Sequence, residues 1–149
     1  MPPFWRYCGG KNYNHIHMIY VLYYNGCFSK RIEHGHMNIY NSTQNNLIAD
    51  DVKVAENFFT RSVGLLSRKS ISDNEALIIK PCCSIHTFFM KFAIDVLFVN
   101  RKNKIVGLYE NVSPNQILPI YFSSYYVVEL AAGQISNKNI QKGDIISLE

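Results

Sequence analysis

The side chains that could do chemistry are concentrated in one apolar run, CCSIHTFFMKFAIDVLFV, from Cys82 to Val99. It holds two thiols, the His86 imidazole, the Lys91 ammonium and the Asp95 carboxylate, and Glu129 is a further acid within the apolar stretch YYVVEL at 125–130. Charged groups inside apolar strands are seldom buried unless paired, so His86, Met90, Lys91, Asp95 and Glu129 form a candidate pocket. In one reading Lys91 binds an anion while Asp95 or Glu129 acts as a base, a set that suits hydrolysis or proton transfer. In the other, His86 is a neutral imidazole held by hydrogen bonds, and Lys91 pairs with Asp95 or Glu129 to fix a turn. Along one extended strand Lys91 and Asp95 stand about 13 Å apart, so they meet only if the chain turns near Phe92-Ala93.

Other chemistries are less well served. Read as a strand, 84–90 puts Ser84, His86, Phe88 and Met90 on one face and Ile85, Thr87 and Phe89 on the other. Cys83 and His86 then face opposite sides, which argues against a thiol nucleophile with an imidazole base. Cys82, Cys83 and His86 suit zinc by type, but structural zinc wants four ligands in two spaced pairs, and the body of the chain has no second pair. No metal or cofactor is expected. The chain contains no Gly-x-Ser-x-Gly elbow, P-loop or dinucleotide fingerprint.

The elements that must position these groups read mainly as β. Asn46–Val54 has two apolar groups flanking Asp50-Asp51, a strand–turn–strand pattern. Phe58, Phe59, Val63, Leu65 and Leu66 approximate one face of a helix near residues 57–67. Strands follow at Ala76–Ile79, Ile85–Met90 and Ile94–Asn100, rich in β-branched and aromatic residues. Arg101-Lys102-Asn103-Lys104 is the tip of a hairpin returning through Ile105–Tyr109, and Ser113–Pro119 is a loop. Tyr125–Leu130 is a strand, Ile135–Ile140 a helical turn, and Ile145–Leu148 the closing strand. Short strands between turn signals, with one packed helix, indicate a compact antiparallel β-barrel or sandwich.

The 149 residues carry a net charge of +4, unevenly spread. Residues 37–149 have 11 Lys+Arg against 10 Asp+Glu, while 1–36 have four against one. The body therefore offers no broad cationic face, and no nucleic-acid partner is expected. Residues 1–36 read as a poorly ordered leader or upstream extension, with 37–149 as a single domain and Met37 as an alternative start. The leader's apolar run, Ile16–Tyr24, is shorter than the roughly 20 residues needed to span a membrane. The run could instead add an edge strand, or serve secretion or lipid anchoring, with Gly26-Cys27 following it. Adjacent Cys82 and Cys83 rarely bridge, and the four cysteines have no disulfide-framework spacing, which suggests reduced thiols and a cytoplasmic location.

Four pieces carry a family resemblance: VKVAENFFTRSVGLLSR, EALIIKPCCSIHTFFMKFAIDVLFVN, YYVVELAAGQI and KGDIISLE. In this order they cover nearly all of 47–149, and the body resembles domain-of-unknown-function family 192, small prokaryotic β-rich proteins. One departure is Ala93, where many relatives place proline. The resemblance implies a β barrel-like fold with one packed helix and no assigned activity. With no catalytic signature, the sequence reads as a small non-enzymatic binding module for an unknown protein or small-molecule partner. The alternative is a cofactor-independent enzyme using His86, Lys91, Asp95 and Glu129. That alternative requires at least three of the four to converge at one concave site.

Overall fold

The computed structural model describes residues 37–56, 65–66 and 68–149. The helix expected near 57–67 and the readings of the leader fall almost wholly on residues outside that set. The described elements, in order, are β1 (Ile39–Asn41), β2 (Asn46–Ala49), β3 (Asp51–Ala55), β4 (Glu75–Ile79), β5 (Ile94–Val99), β6 (Ile105–Val112), β7 (Tyr126–Ala131), α1 (Gln134–Asn137) and β8 (Ile146–Leu148). They form a three-stranded sheet, β2-β1-β8, and a five-stranded sheet, β3-β4-β7-β5-β6. The two sheets give a sandwich-like, mainly β fold rather than a closed barrel. Its strands are antiparallel except for β3 and β4, which pair in parallel.

Both faces of the large sheet are covered, which is why β4, β5 and β7 are buried throughout and read as unbroken apolar runs. Strand alternation divides their side chains between two cores. Ile78, Leu97, Val99, Val128 and Leu130 face the small sheet and pack with Ile39, Ile48 and Ile146. Ile79, Ile94, Val96, Phe98 and Val127 face the opposite side. There they are roofed by Ile85, Met90 and Leu118, from segments outside the regular strands.

Those segments correct one expectation. Ile85–Met90 is not a strand of either sheet; among the described residues its only ladder contact is an isolated bridge, His86 to Ile117. Residues 82–90 and 113–122 instead lie against each other as an irregular ribbon. Thr87 N–H donates to Gln116 O (2.9 Å), Asn115 N–H to Thr87 O (2.9 Å), Leu118 N–H to Ile85 O (3.0 Å) and Tyr121 N–H to Cys83 O (2.8 Å). Thr87, fully buried, adds two more bonds: Oγ1 donates to Ser113 O at 2.7 Å and accepts from Gln116 N–H at 3.0 Å. Side-chain hydroxyls thus do the work that a regular ladder does elsewhere.

The ribbon is locked to the sheet at Gly107. A Cβ there would lie 2.4 Å from the Tyr121 ring, so only glycine admits that ring against β6. Tyr121 in turn stacks on Phe98 (centroids 4.5 Å) and hydrogen-bonds the Tyr109 hydroxyl (3.1 Å). Gly107→Ala is expected to displace Tyr121 and destabilise the fold by about 1–3 kcal/mol, the usual penalty of overpacking. Urea denaturation measures it, and an unchanged midpoint would show that Tyr121 does not hold the ribbon down.

Candidate functional site

The five candidate residues lie near one another in sequence or register but do not converge. Asp95 is fully buried on β5, opposite Leu130. By strand alternation it shares the face of Leu97 and Val99, toward the small sheet. Its Oδ1 accepts the N–H of Asn111 at 2.8 Å and its Oδ2 the N–H of Ile135 at 2.8 Å. The first bond closes an irregularity in the β5–β6 register, where Asn111 is left-handed (φ 51°). The second caps the start of α1. Asp95 is therefore an internal brace, with both oxygens engaged by backbone donors.

Glu129 is on the other face. It pairs with Leu77 on one side and Val96 on the other, both members of the second core. Its residue exposure is 4%, and Oε2 has no hydrogen-bond partner among the described residues. Burial alone pushes its carboxyl up to about 8, so it is largely protonated at neutral pH. Two residues from Leu77 along β4, Glu75 behaves oppositely. Burial raises its carboxyl, but hydrogen bonds and charge from Lys53 (2.6 Å) and Arg68 outweigh that and hold it below the usual range.

Met90 is a core residue of the same face as Glu129. Lys91 is exposed and enters no ion pair with a described residue, so neither a Lys91–Asp95 nor a Lys91–Glu129 pair forms. His86 is half-buried on the ribbon, its ring 5.2 Å from that of Phe88. Burial lowers its pKa, favouring the neutral imidazole, and Nδ1 is buried with no hydrogen-bond partner among the described residues. The neutral state thus agrees with the reading of His86 as a neutral imidazole. Cys83 is disulfide-bonded. The disulfide removes the argument for a reducing compartment. Among the described residues no group of three or more His, Cys, Asp or Glu could hold a metal ion, and no helix is long and apolar enough to cross a membrane.

What the ribbon displays is different in kind. Thr87–Met90 is a tight turn closed by Met90 N–H to Thr87 O (3.2 Å), with Phe88 and Phe89 at its centre. Phe89 adopts φ 64°, and its N–H is held by Asn115 Oδ1 at 3.2 Å. Six non-glycine residues among those described have positive φ; five are asparagine and the sixth is Phe89. Asparagine visits that region readily, whereas a bulky aromatic does so at a cost. The strained residue is also outward-facing: Phe89 is 68% exposed, and Ile117, bridged to His86, is 69% exposed. Sequence parity on a strand could not find this feature, because it depends on a turn. The signal available was two adjacent phenylalanines where a turn residue belongs. Of the other aromatics that a binding face might have used, Tyr126 is buried, Tyr121 and Tyr125 are half-buried, and Phe122 is exposed.

The family model DUF192, described as "Uncharacterized ACR, COG1430", matches residues 39–148. A "UPF0127 protein" of Thermococcus sibiricus is 32% identical over 115 residues, covering 73% of this chain and 73% of that protein. "UPF0127 protein PF1050" of Pyrococcus furiosus is 30% identical over 109 residues, covering 70% and 91% respectively. A crystal structure of a protein of unknown function from Novosphingobium aromaticivorans shares the fold. Its TM-score is 0.65 at 19% identity, over 74% of this chain and 82% of that one.

Proposed function

This chain belongs to the DUF192 family, and from the geometry of its ribbon we propose that it is a non-enzymatic binding module. The ribbon's outer face would dock an apolar segment of a partner protein, flanked in that partner by an acidic residue. The observation that carries this reading is Phe89, an aromatic held 68% exposed in a left-handed turn. Strain of that kind persists where surrounding structure over-determines it, and it gathers at binding and switching sites. Here the hydrogen bonds to Thr87 and Asn115 fix Phe89 and Ile117 in advance, so little ordering entropy is lost when they are covered. A small aromatic–aliphatic centre with a polar rim of Asn115 and Gln116 matches the anatomy of a protein interface. Exposed Lys91 supplies the charge that an acidic neighbour in the partner segment would meet.

This reading separates stability from binding at a single residue. Phe89→Gly relieves the left-handed strain and gives up little buried surface. It is therefore expected to raise stability by about 0.5–1 kcal/mol in urea denaturation. A loss of stability instead would return Phe89 to the core. The partner chemistry is tested by selecting random displayed peptides on the full chain. Recovered binders should combine aromatic or aliphatic residues with a neighbouring Asp or Glu, and should be lost on Phe89→Gly. Binders that ignore this substitution would overturn the proposed face.

A further inference from the structure

A pocket lies at the other end of the ribbon from Phe89, where the β5–β6 hairpin meets the start of β7. It has a volume of about 240 Å³ and is lined by Arg101, Lys102, Phe122, Ser123, Ser124 and Tyr125, among others. Its walls are fixed. Asn100 Oδ1 accepts the N–H groups of Lys102 (2.9 Å) and Lys104 (3.0 Å), which sets the hairpin tip. Ser124 Oγ lies 3.0 Å from the carbonyl oxygens of both Cys82 and Tyr126 and donates its one proton between them. The guanidinium carbon of Arg101 sits 3.9 Å from the Tyr125 ring centroid, and Lys80 Nζ lies 5.4 Å from the same centroid.

Two cations, Arg101 and Lys80, therefore sit by one aromatic, and neither they nor Lys102 is in an ion pair with a described residue. The ion pairs among the described residues involve only Asp51, Lys53, Arg68 and Glu75. The N–H groups of Arg101 likewise have no acceptor among the described residues. A guanidinium seated on a ring has little rotamer freedom left to lose, and its planar fork matches two oxygens of a phosphate. Lys102 adds a point charge, and the side chain of Phe122, 61% exposed, offers a flat apolar wall.

We infer that this pocket binds a small phosphate monoester carrying a planar apolar ring. Arg101, braced by Tyr125, and Lys102 take the oxyanion, and the ring lies against Phe122. The pocket is below the roughly 300 Å³ at which drug-sized sites begin, so one head group and one ring fill it. Extended nucleic acid fits poorly, because residues 37–149 balance 11 cationic against 10 anionic side chains and have no basic stripe to follow a backbone.

The test is an amide-resolved NMR titration of the full chain with phenyl phosphate, and in parallel with inorganic phosphate and phenol. Phenyl phosphate is expected to give saturable shifts at 100–102 and 122–125, with phenol far weaker. Arg101→Gln should reduce affinity at least about tenfold. Arg101→Lys, which keeps the charge but loses the fork, should reduce it severalfold while shifts elsewhere stay unchanged. Phe122→Ala should weaken phenyl phosphate and leave inorganic phosphate alone. Shifts spread equally over Arg68 and Lys69, or full affinity in Arg101→Gln, would overturn the site. Equal affinity for inorganic and phenyl phosphate would overturn the assigned ligand class.

Discussion

Replacing Glu129 with leucine is expected to stabilise the protein above pH 7 and to flatten its stability between pH 5 and 8. The folded carboxyl titrates at about 8 because it is buried between Leu77 and Val96, against an ordinary value of 4.5 in the unfolded chain. Between those values the unfolded state loses its proton and the folded state keeps it. Unfolding therefore becomes progressively easier as pH rises. The favourable contribution is complete below about pH 4.5 and is lost by about pH 8, an effect on the order of 5 kcal/mol across the window. The charged groups nearest in register, Glu75 with Lys53 and Arg68, are engaged with one another and give Glu129 no counter-ion. Leucine removes the titration and fills similar space, as when buried charges are replaced by apolar side chains, for a gain of about 1–4 kcal/mol near pH 8. Urea midpoints at pH 5, 6, 7 and 8 for both proteins measure this. An unchanged pH slope in the leucine variant would show that Glu129 is solvated or paired.

Asp95→Ala is expected to act in the opposite direction and to cost on the order of 2–5 kcal/mol. Two backbone donors, the buried Ile135 N–H and the part-buried Asn111 N–H, lose their carboxylate acceptor, and leaving a buried donor unsatisfied costs about 1–3 kcal/mol. That is a large part of the 5–15 kcal/mol typical of a domain. Asp95→Asn keeps one acceptor and turns an amide toward the other donor, so its loss should be smaller. Hydrogen exchange should localise the damage in both variants to Asn111 and the first turn of α1. A stability within about 0.5 kcal/mol of wild type in Asp95→Ala would remove Asp95 from the framework and reopen it as a functional acid.

These two acids show where the sequence was informative and where it was not. The strands β4, β5 and β7, the hairpin at 101–104 and the turn at α1 were legible, because long apolar β-branched runs broken by Asn, Lys and Gly leave few alternatives. Burial of Asp95 and Glu129 was legible for the same reason. Their separation was not: it depends on β7 lying between β4 and β5 and on a register that sets Val96, not Asp95, opposite Glu129. Ile85–Met90 was misread as a strand because its composition is that of one. Its hydrogen bonds go to a loop through Thr87, and its end is a turn with Phe89 in a conformation that composition does not announce. Strand β1, three residues long, gave no periodic signal. The parallel pairing of β3 with β4 requires a crossover within 56–74, of which 57–64 and 67 lie outside the described set.

Docking through the ribbon is tested most directly by measuring stability and peptide affinity on the same samples of wild type and Phe89→Gly, using a peptide selected on the full chain. The expected result is a divergence, with stability rising by about 0.5–1 kcal/mol while affinity falls at least about tenfold, as for a central anchor residue. Unchanged affinity in a folded Phe89→Gly protein, or parallel loss of affinity and stability, would contradict the assignment of this face to binding.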